Sequence, residues 1–174
     1  TGTGALWIEA WEKTGYADQR TIVAFGGSGS NDGANLSMNG NPVVMQDPAV
    51  CTCAFTVPTG VSLADNNWHH LVLTYSGATH VLTAYVDALN LGTQTVGAGG
   101  LNLVAGAPKL KPGGVHGNTF PGALDESAIS PAPVHGRQVG AHHAASGLKP
   151  PRPPGPSVDP SAGATLARRV SPAG

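Results

Sequence analysis

The chain has 174 residues, 40% of them hydrophobic and 11% charged, with a formal net charge of -1. That is enough apolar content to build the core of one domain of ordinary size plus a tail. It holds too little clustered positive charge to neutralise a run of phosphates, which argues against nucleic acid as a partner. No apolar run approaches the ~20 residues a membrane helix needs, no basic amphipathic helix is present for a membrane surface, and the N-terminus lacks a signal-peptide pattern.

From Ala5 to Lys13 the residues alternate, with Leu6, Ile8 and Ala10 on one face and Trp7, Glu9, Trp11 and Lys13 on the other. This is the period of a strand, here with two large aromatics on its second face. Thr21 to Phe25 reads as a short strong strand ending at Gly26-Gly27, and Gly26 to Ala34 as a long loop. Asn39-Gly40 lies between two strand-like runs and is the dipeptide favoured in two-residue hairpins, because both residues tolerate positive φ. Pro42 pushes the outgoing strand toward a sheet edge. Cys53 to Val57 is a further strand candidate. Cys51 and Cys53 sit two apart on one face, which leaves three readings: a free buried pair, a disulfide (strained and local, or intermolecular), or metal.

The strongest local signal follows. Trp68 to Tyr75 and His80 to Asp87 are rich in β-branched and aromatic residues, and Ser76-Gly77-Ala78-Thr79 between them supplies turn chemistry. On this hairpin Trp68, His70, Val72 and Thr74 face one way and His69, Leu71, Leu73 and Tyr75 the other, so both faces carry packing residues. Shorter strand-like pieces occupy Thr93 to Val96 and Leu101 to Val104, a loop runs from Pro108 to Asn118, and Phe120 to Ser130 is a last strand. Val134 to Ala145 is read as one short helix, although Gly136 and Gly140 weaken it by about a kcal/mol each relative to alanine. From Lys149 to Pro160 the composition changes to proline, which cannot pack as a core. The expected division is therefore a domain over 1–147 and a Pro-rich linker or disordered tail over 148–174. Many short strands with turn signals and at most one helix indicate an all-β sandwich or barrel.

Catalytic signatures are scarce. A glycosidase needs two carboxylates about 5 to 10 Å apart in one cleft, whereas Asp125 and Glu126 are adjacent and so expected to face apart, and Glu9 has no carboxylate at Trp7 or Trp11. His69 and His70 are strand neighbours and cannot easily join Cys51 and Cys53 in one zinc tetrahedron. The expectation is a packed His69, a half-exposed His70, and His142 and His143 on a helix surface. Trp7, Trp11 and Trp68, at strand positions, are expected in the core.

Four segments, in order, carry a family resemblance: LWIEAWEKT at Leu6–Thr14, TIVAFGG at Thr21–Gly27, the Trp-His-His hairpin from Asn66 through Tyr-Val-Asp to Thr93, and FPGALDESAI at Phe120–Ile129. Together they resemble the laminin-G-like group of concanavalin A-type jelly rolls. The resemblance implies an antiparallel two-sheet jelly-roll sandwich with one short C-terminal helix. It also implies a diverged and N-terminally truncated copy, because the family has a strand before the Glu-Ala-Trp strand and its loss would expose an edge. Glu12 stands where the family has an apolar residue, and Ser127 and Ser130 replace apolar or aromatic ones. Ala88 replaces a turn glycine, so another geometry is expected there, with Asn90 taking positive φ.

The functional implication is a non-catalytic extracellular binding module within a larger protein, secreted or at the cell surface, that recognises a polysaccharide, another glycan or an extracellular protein. The alternatives are a structural or adhesion domain of a surface or fibre protein, and an accessory domain of a glycoside hydrolase. Family members often hold a structural calcium at a sandwich edge. Asp125 occupies the matching Asp-Glu position, with Asp32 as a further oxygen donor. Tyr16, Asn31, Asp32, His116 and Asn118 lie in loops that could converge at one end, where recognition usually resides.

Overall fold

The computed structural model describes residues 4–26, 33–39, 43–47, 51–97, 101, 111–112, 120–131 and 134–147. The expected tail over 148–174 lies outside them. Among the described residues, the strands in chain order are β1 (Leu6–Thr14), β2 (Arg20–Gly26), β3 (Gly33–Met38), β4 (Val43–Asp47), β5 (Cys51–Phe55), β6 (Trp68–Ser76), β7 (Val81–Val86), β8 (Leu89–Thr95), β9 (Lys111–Pro112) and β10 (Gly122–Ser130), followed by the helix α1 (Gly136–Ala145). They form two antiparallel sheets, ordered β10-β1-β6-β7-β8 and β5-β4-β3-β2-β9. This is the two-layer sandwich that the resemblance implies, within the all-β class that the strand pattern indicates.

The core lies between the sheets. Leu6, Ile8 and Ala10 of β1 meet Leu71, Leu73 and Tyr75 of β6, Leu82, Ala84 and Val86 of β7, and Ile22, Leu36 and Phe55 from the opposite layer. Alternation explains this face, since every second residue of each strand is apolar. The outer face of the first sheet is also covered. α1 lies across it, burying Val139 and His143, and Val72 and Trp11 are buried beneath. Both faces of β1 and β6 are therefore packed, as the dual-faced hairpin implies.

Several expectations need correction. β1 is not an edge strand, because β10 pairs with one side of it and β6 with the other. β4 is likewise internal, between β3 and β5; Gly40 and Pro42 lie outside the described residues. Asn90 is not the residue that solves the β7–β8 turn. Asp87 (φ 50) and Ala88 (φ 66) both take positive φ, the requirement of a two-residue primed turn whose twist matches the strands. Asn90 instead accepts a hydrogen bond from the Gly92 N–H through Oδ1. β8 starts earlier than its expected strand; of the strand-like piece expected over Leu101 to Val104, only Leu101, which is buried, is among the described residues. Cys53 is buried and disulfide-bonded, which leaves the disulfide reading for it.

Gly122 opens β10 under a close approach: a Cβ there would lie 2.2 Å from the Lys13 carbonyl oxygen. Gly122 is also the partner of Thr14 in the β1–β10 register, so an added methyl must push these strands apart. Gly122→Ala is expected to lower stability by about 2 kcal/mol or more, read from a shifted denaturation midpoint in urea.

Candidate functional site

Two constellations of polar side chains flank the β1–β6 pair, one on each face. The first lies outside, between the sheet and α1. Trp11 is opposite His70 in the strand register, and their rings stack at 4.6 Å. His143, reaching down from α1, lies near-parallel to Trp11 at 5.5 Å and to His70 at 5.8 Å. His70 is 0% exposed and His143 2%. Neither is the partly or fully exposed histidine expected from the sequence, because the helix covers the very face on which a strand would otherwise show its second set of side chains.

Glu9 binds this layer together. Its Oε2 lies 2.7 Å from Nδ1 of His142, and its Oε1 is 3.7 Å from Nε2 of His70. Burial pushes the Glu9 carboxyl up, but its contacts with His70 and His142 outweigh this and hold it below the usual carboxylate range. His142 also meets Trp7 edge-on, with centroids 5.6 Å apart.

At the C-terminal end of α1 this layer opens into a cleft of about 310 Å³. Trp11 and Trp68 form its aromatic wall, Asp125 and Glu126 of β10 its rim, and His142, Ala145 and Ser146 its helical side. Asp125 and Glu126 were expected to face apart, yet both line the cleft. The reason is a bulge: Glu9 pairs with Ala128 and Trp11 with Asp125, so Ala10 alone spans Glu126 and Ser127. Glu126 sits at φ 45, and such a bulge breaks the alternation and re-aims side chains.

The second constellation lies on the inner face, at the end of the core. Glu12 is opposite His69 in the register and is 0% exposed, as the sequence position implies. Neither carboxyl oxygen has a hydrogen-bond partner among the described residues. Burial dominates, and with the Asp87 and Asp65 charges it pushes Glu12 up to about 8 against the opposing pull of His69. His69 is far better satisfied. Its Nδ1 is 2.8 Å from Asp87 Oδ2 and its Nε2 3.1 Å from Asp65 Oδ1. Burial alone would lower it, but these two carboxylates raise it to about 9. Asp87 Oδ1 also accepts the His70 N–H at 2.8 Å. The network ties together the stretch before β6, β6 itself and the β7–β8 turn.

Of the residues singled out from sequence, Tyr16 lies just past β1 and is 56% exposed, the one exposed large hydrophobic residue among those described. Asp125 is exposed and accepts the Glu126 N–H through Oδ1. Asn31, Asp32, His116 and Asn118 lie outside the described residues. Among the described residues no group of three or more His, Cys, Asp or Glu is arranged to hold a metal ion. The cleft itself escaped sequence reasoning. Its aromatic wall is made by Trp11 and Trp68, two residues whose strand positions point to the core rather than to a ligand.

Solved structures share this fold at low identity. The carbohydrate-binding module (CBM40) of the Ruminococcus gnavus IT-sialidase, bound to alpha2,3 sialyllactose, is 14% identical with a TM-score of 0.63, covering 80% of this chain and 82% of that one. A Bacteroides ovatus protein is 19% identical with a TM-score of 0.61 over 80% of this chain and 41% of its own. Domains LG4-5 of the mouse laminin alpha1 chain are 16% identical, with a TM-score of 0.59 over 77% of this chain and 37% of theirs. The chain thus spans less than half the length of two of these three. No curated protein matches it in sequence. The laminin-G-like family model described as the concanavalin A-like lectin/glucanases superfamily matches residues 1–140, and with the two-sheet sandwich in place the chain belongs to that superfamily.

Proposed function

We propose that the domain is a non-catalytic glycan-recognition module of a larger protein that is secreted or displayed at a cell surface. The cleft beside α1 carries this reading. It joins an indole wall, against which the apolar face of a sugar packs, to carboxylate and imidazole groups that satisfy hydroxyls, the usual composition of a small-ligand site. The superfamily supports the same reading, as does the sialyllactose bound to the Ruminococcus gnavus module. Catalysis is disfavoured by the site's own chemistry: Asp125 and Glu126 are chain neighbours and both exposed, rather than a sheltered acid set across a cleft from a base or nucleophile. Among the described residues no helix is long and apolar enough to cross a membrane.

A glycan array with and without calcium tests the reading. Trp68, only partly buried and on the cleft wall, is the expected stacking residue. Trp68→Ala should weaken binding of any array hit about tenfold, as measured by titration calorimetry. An array silent under both conditions would overturn the reading and favour a structural or adhesion role. A calcium requirement would support Asp125 as a metal position.

A further inference from the structure

We propose that the cleft at the C-terminal end of α1 accepts a sugar unit bearing a protonated amine, which makes an amino-sugar oligosaccharide its preferred ligand. The proposal rests on the glycan-recognition reading above and names the ligand class. The cleft's volume, about 310 Å³, is near the lower end for small-molecule sites and has room for roughly one or two sugar rings.

With histidine neutral, the charged side chains of the lining are both acidic. Asp125 and Glu126 form the rim. His142, the other titratable group in the lining, already has Glu9 at 2.7 Å. The last turn of α1 ends in the cleft at Ala145 and Ser146, and a helix C-terminus presents the negative end of its dipole. No lysine or arginine lines the cleft among the described residues; Lys13, opposite Trp68 in the register, is not part of the lining. An ammonium group placed there would form charge-assisted hydrogen bonds, about twice as strong as neutral ones, beside indoles that themselves attract cations. A neutral hydroxyl gains less. A carboxylated sugar such as sialic acid would set its charge against Asp125 and Glu126.

The backbone adds a discriminating test. Regular alternation would send Asp125 and Glu126 to opposite faces, and the bulge that brings both to the cleft holds Glu126 at φ 45, where glycine would sit without strain. If the glutamate serves the ligand, its replacement by glycine should improve folding and harm binding.

Calorimetry with three β-linked tetrasaccharides, of glucosamine, N-acetylglucosamine and glucose, in mildly acidic buffer provides the measurement. The glucosamine tetramer is expected to bind at least about tenfold more tightly than the other two, with an advantage that shrinks as salt is added. The double variant Asp125→Asn, Glu126→Gln should lose that preference while keeping its circular dichroism spectrum and melting temperature. Glu126→Gly should melt at a higher temperature yet bind the glucosamine tetramer more weakly, a pairing that a purely structural role would not produce. Equal affinity for all three tetramers, or an amine preference that survives in the double variant, overturns the proposal. In that event, binding of any other array glycan leaves the glycan-recognition reading standing, whereas absence of all glycan binding overturns both.

Discussion

Asp87→Ala is expected to destabilise the domain by about 3–5 kcal/mol, the cost of leaving a buried charge and a buried donor without their partner. Asp87 is itself buried and serves both groups. Oδ2 lies 2.8 Å from the His69 ring and Oδ1 accepts the His70 N–H at 2.8 Å. Its backbone adds to the effect, because Asp87 holds φ 50 in the turn between β7 and β8, and aspartate tolerates that region better than alanine. Chemical denaturation at neutral pH checks the size of the loss. Asp87→Asn separates charge from geometry: it keeps the turn and the acceptor for His70 but withdraws the anion from His69, so an intermediate loss is expected. A change within experimental error for Asp87→Ala would mean that the network adds nothing to folding.

The second large effect runs the other way. Glu12→Leu is expected to raise stability by about 1–3 kcal/mol above neutral pH, since a buried carboxyl without hydrogen bonds is replaced by an apolar side chain on a face it shares with Ile8 and Ala10. The pH dependence gives the more specific signature. Glu12, raised from 4.5 to about 8, binds its proton more tightly when folded. Its unfavourable contribution is therefore absent below about 4.5, grows as pH rises and is complete above about 8. His69, raised from 6.5 to about 9, contributes favourably; that stability is fully present below 6.5 and is lost as pH rises through 9. Both groups thus make the native domain less stable toward alkaline pH. In Glu12→Leu the decline below neutrality should flatten, leaving the His69 component between about 6.5 and 9. Urea denaturation across this range measures it. A leucine variant less stable than the parent at every pH would show that the carboxyl has a partner worth more than its burial costs.

These two residues also show how much was legible beforehand. Glu12 stood out because strand alternation put a carboxylate on the face of Leu6, Ile8 and Ala10, and that local rule held. Its neighbours did not stand out: nothing in the spacing of His69, Asp87 and Asp65 announces that a turn and a preceding loop fold back to clasp one imidazole. Trp11 shows the same limit. Its side of β1 was correctly assigned, but whether that side meets solvent, a second sheet or a helix depends on where residues over a hundred positions later come to rest.

The sequence by itself determined the strand period, the Trp68–Asp87 hairpin, the short helix and the superfamily resemblance, since alternation, turn residues and β-branched runs act over a few neighbouring residues. Only the tertiary structure decided that β1 is an interior strand, that α1 buries His70 and His143 against Trp11, and that a bulge turns Asp125 and Glu126 into one cleft. Each of these depends on which distant segment pairs with or covers a strand. A one-residue irregularity in that pairing redirects every side chain beyond it, and no local pattern encodes where it falls.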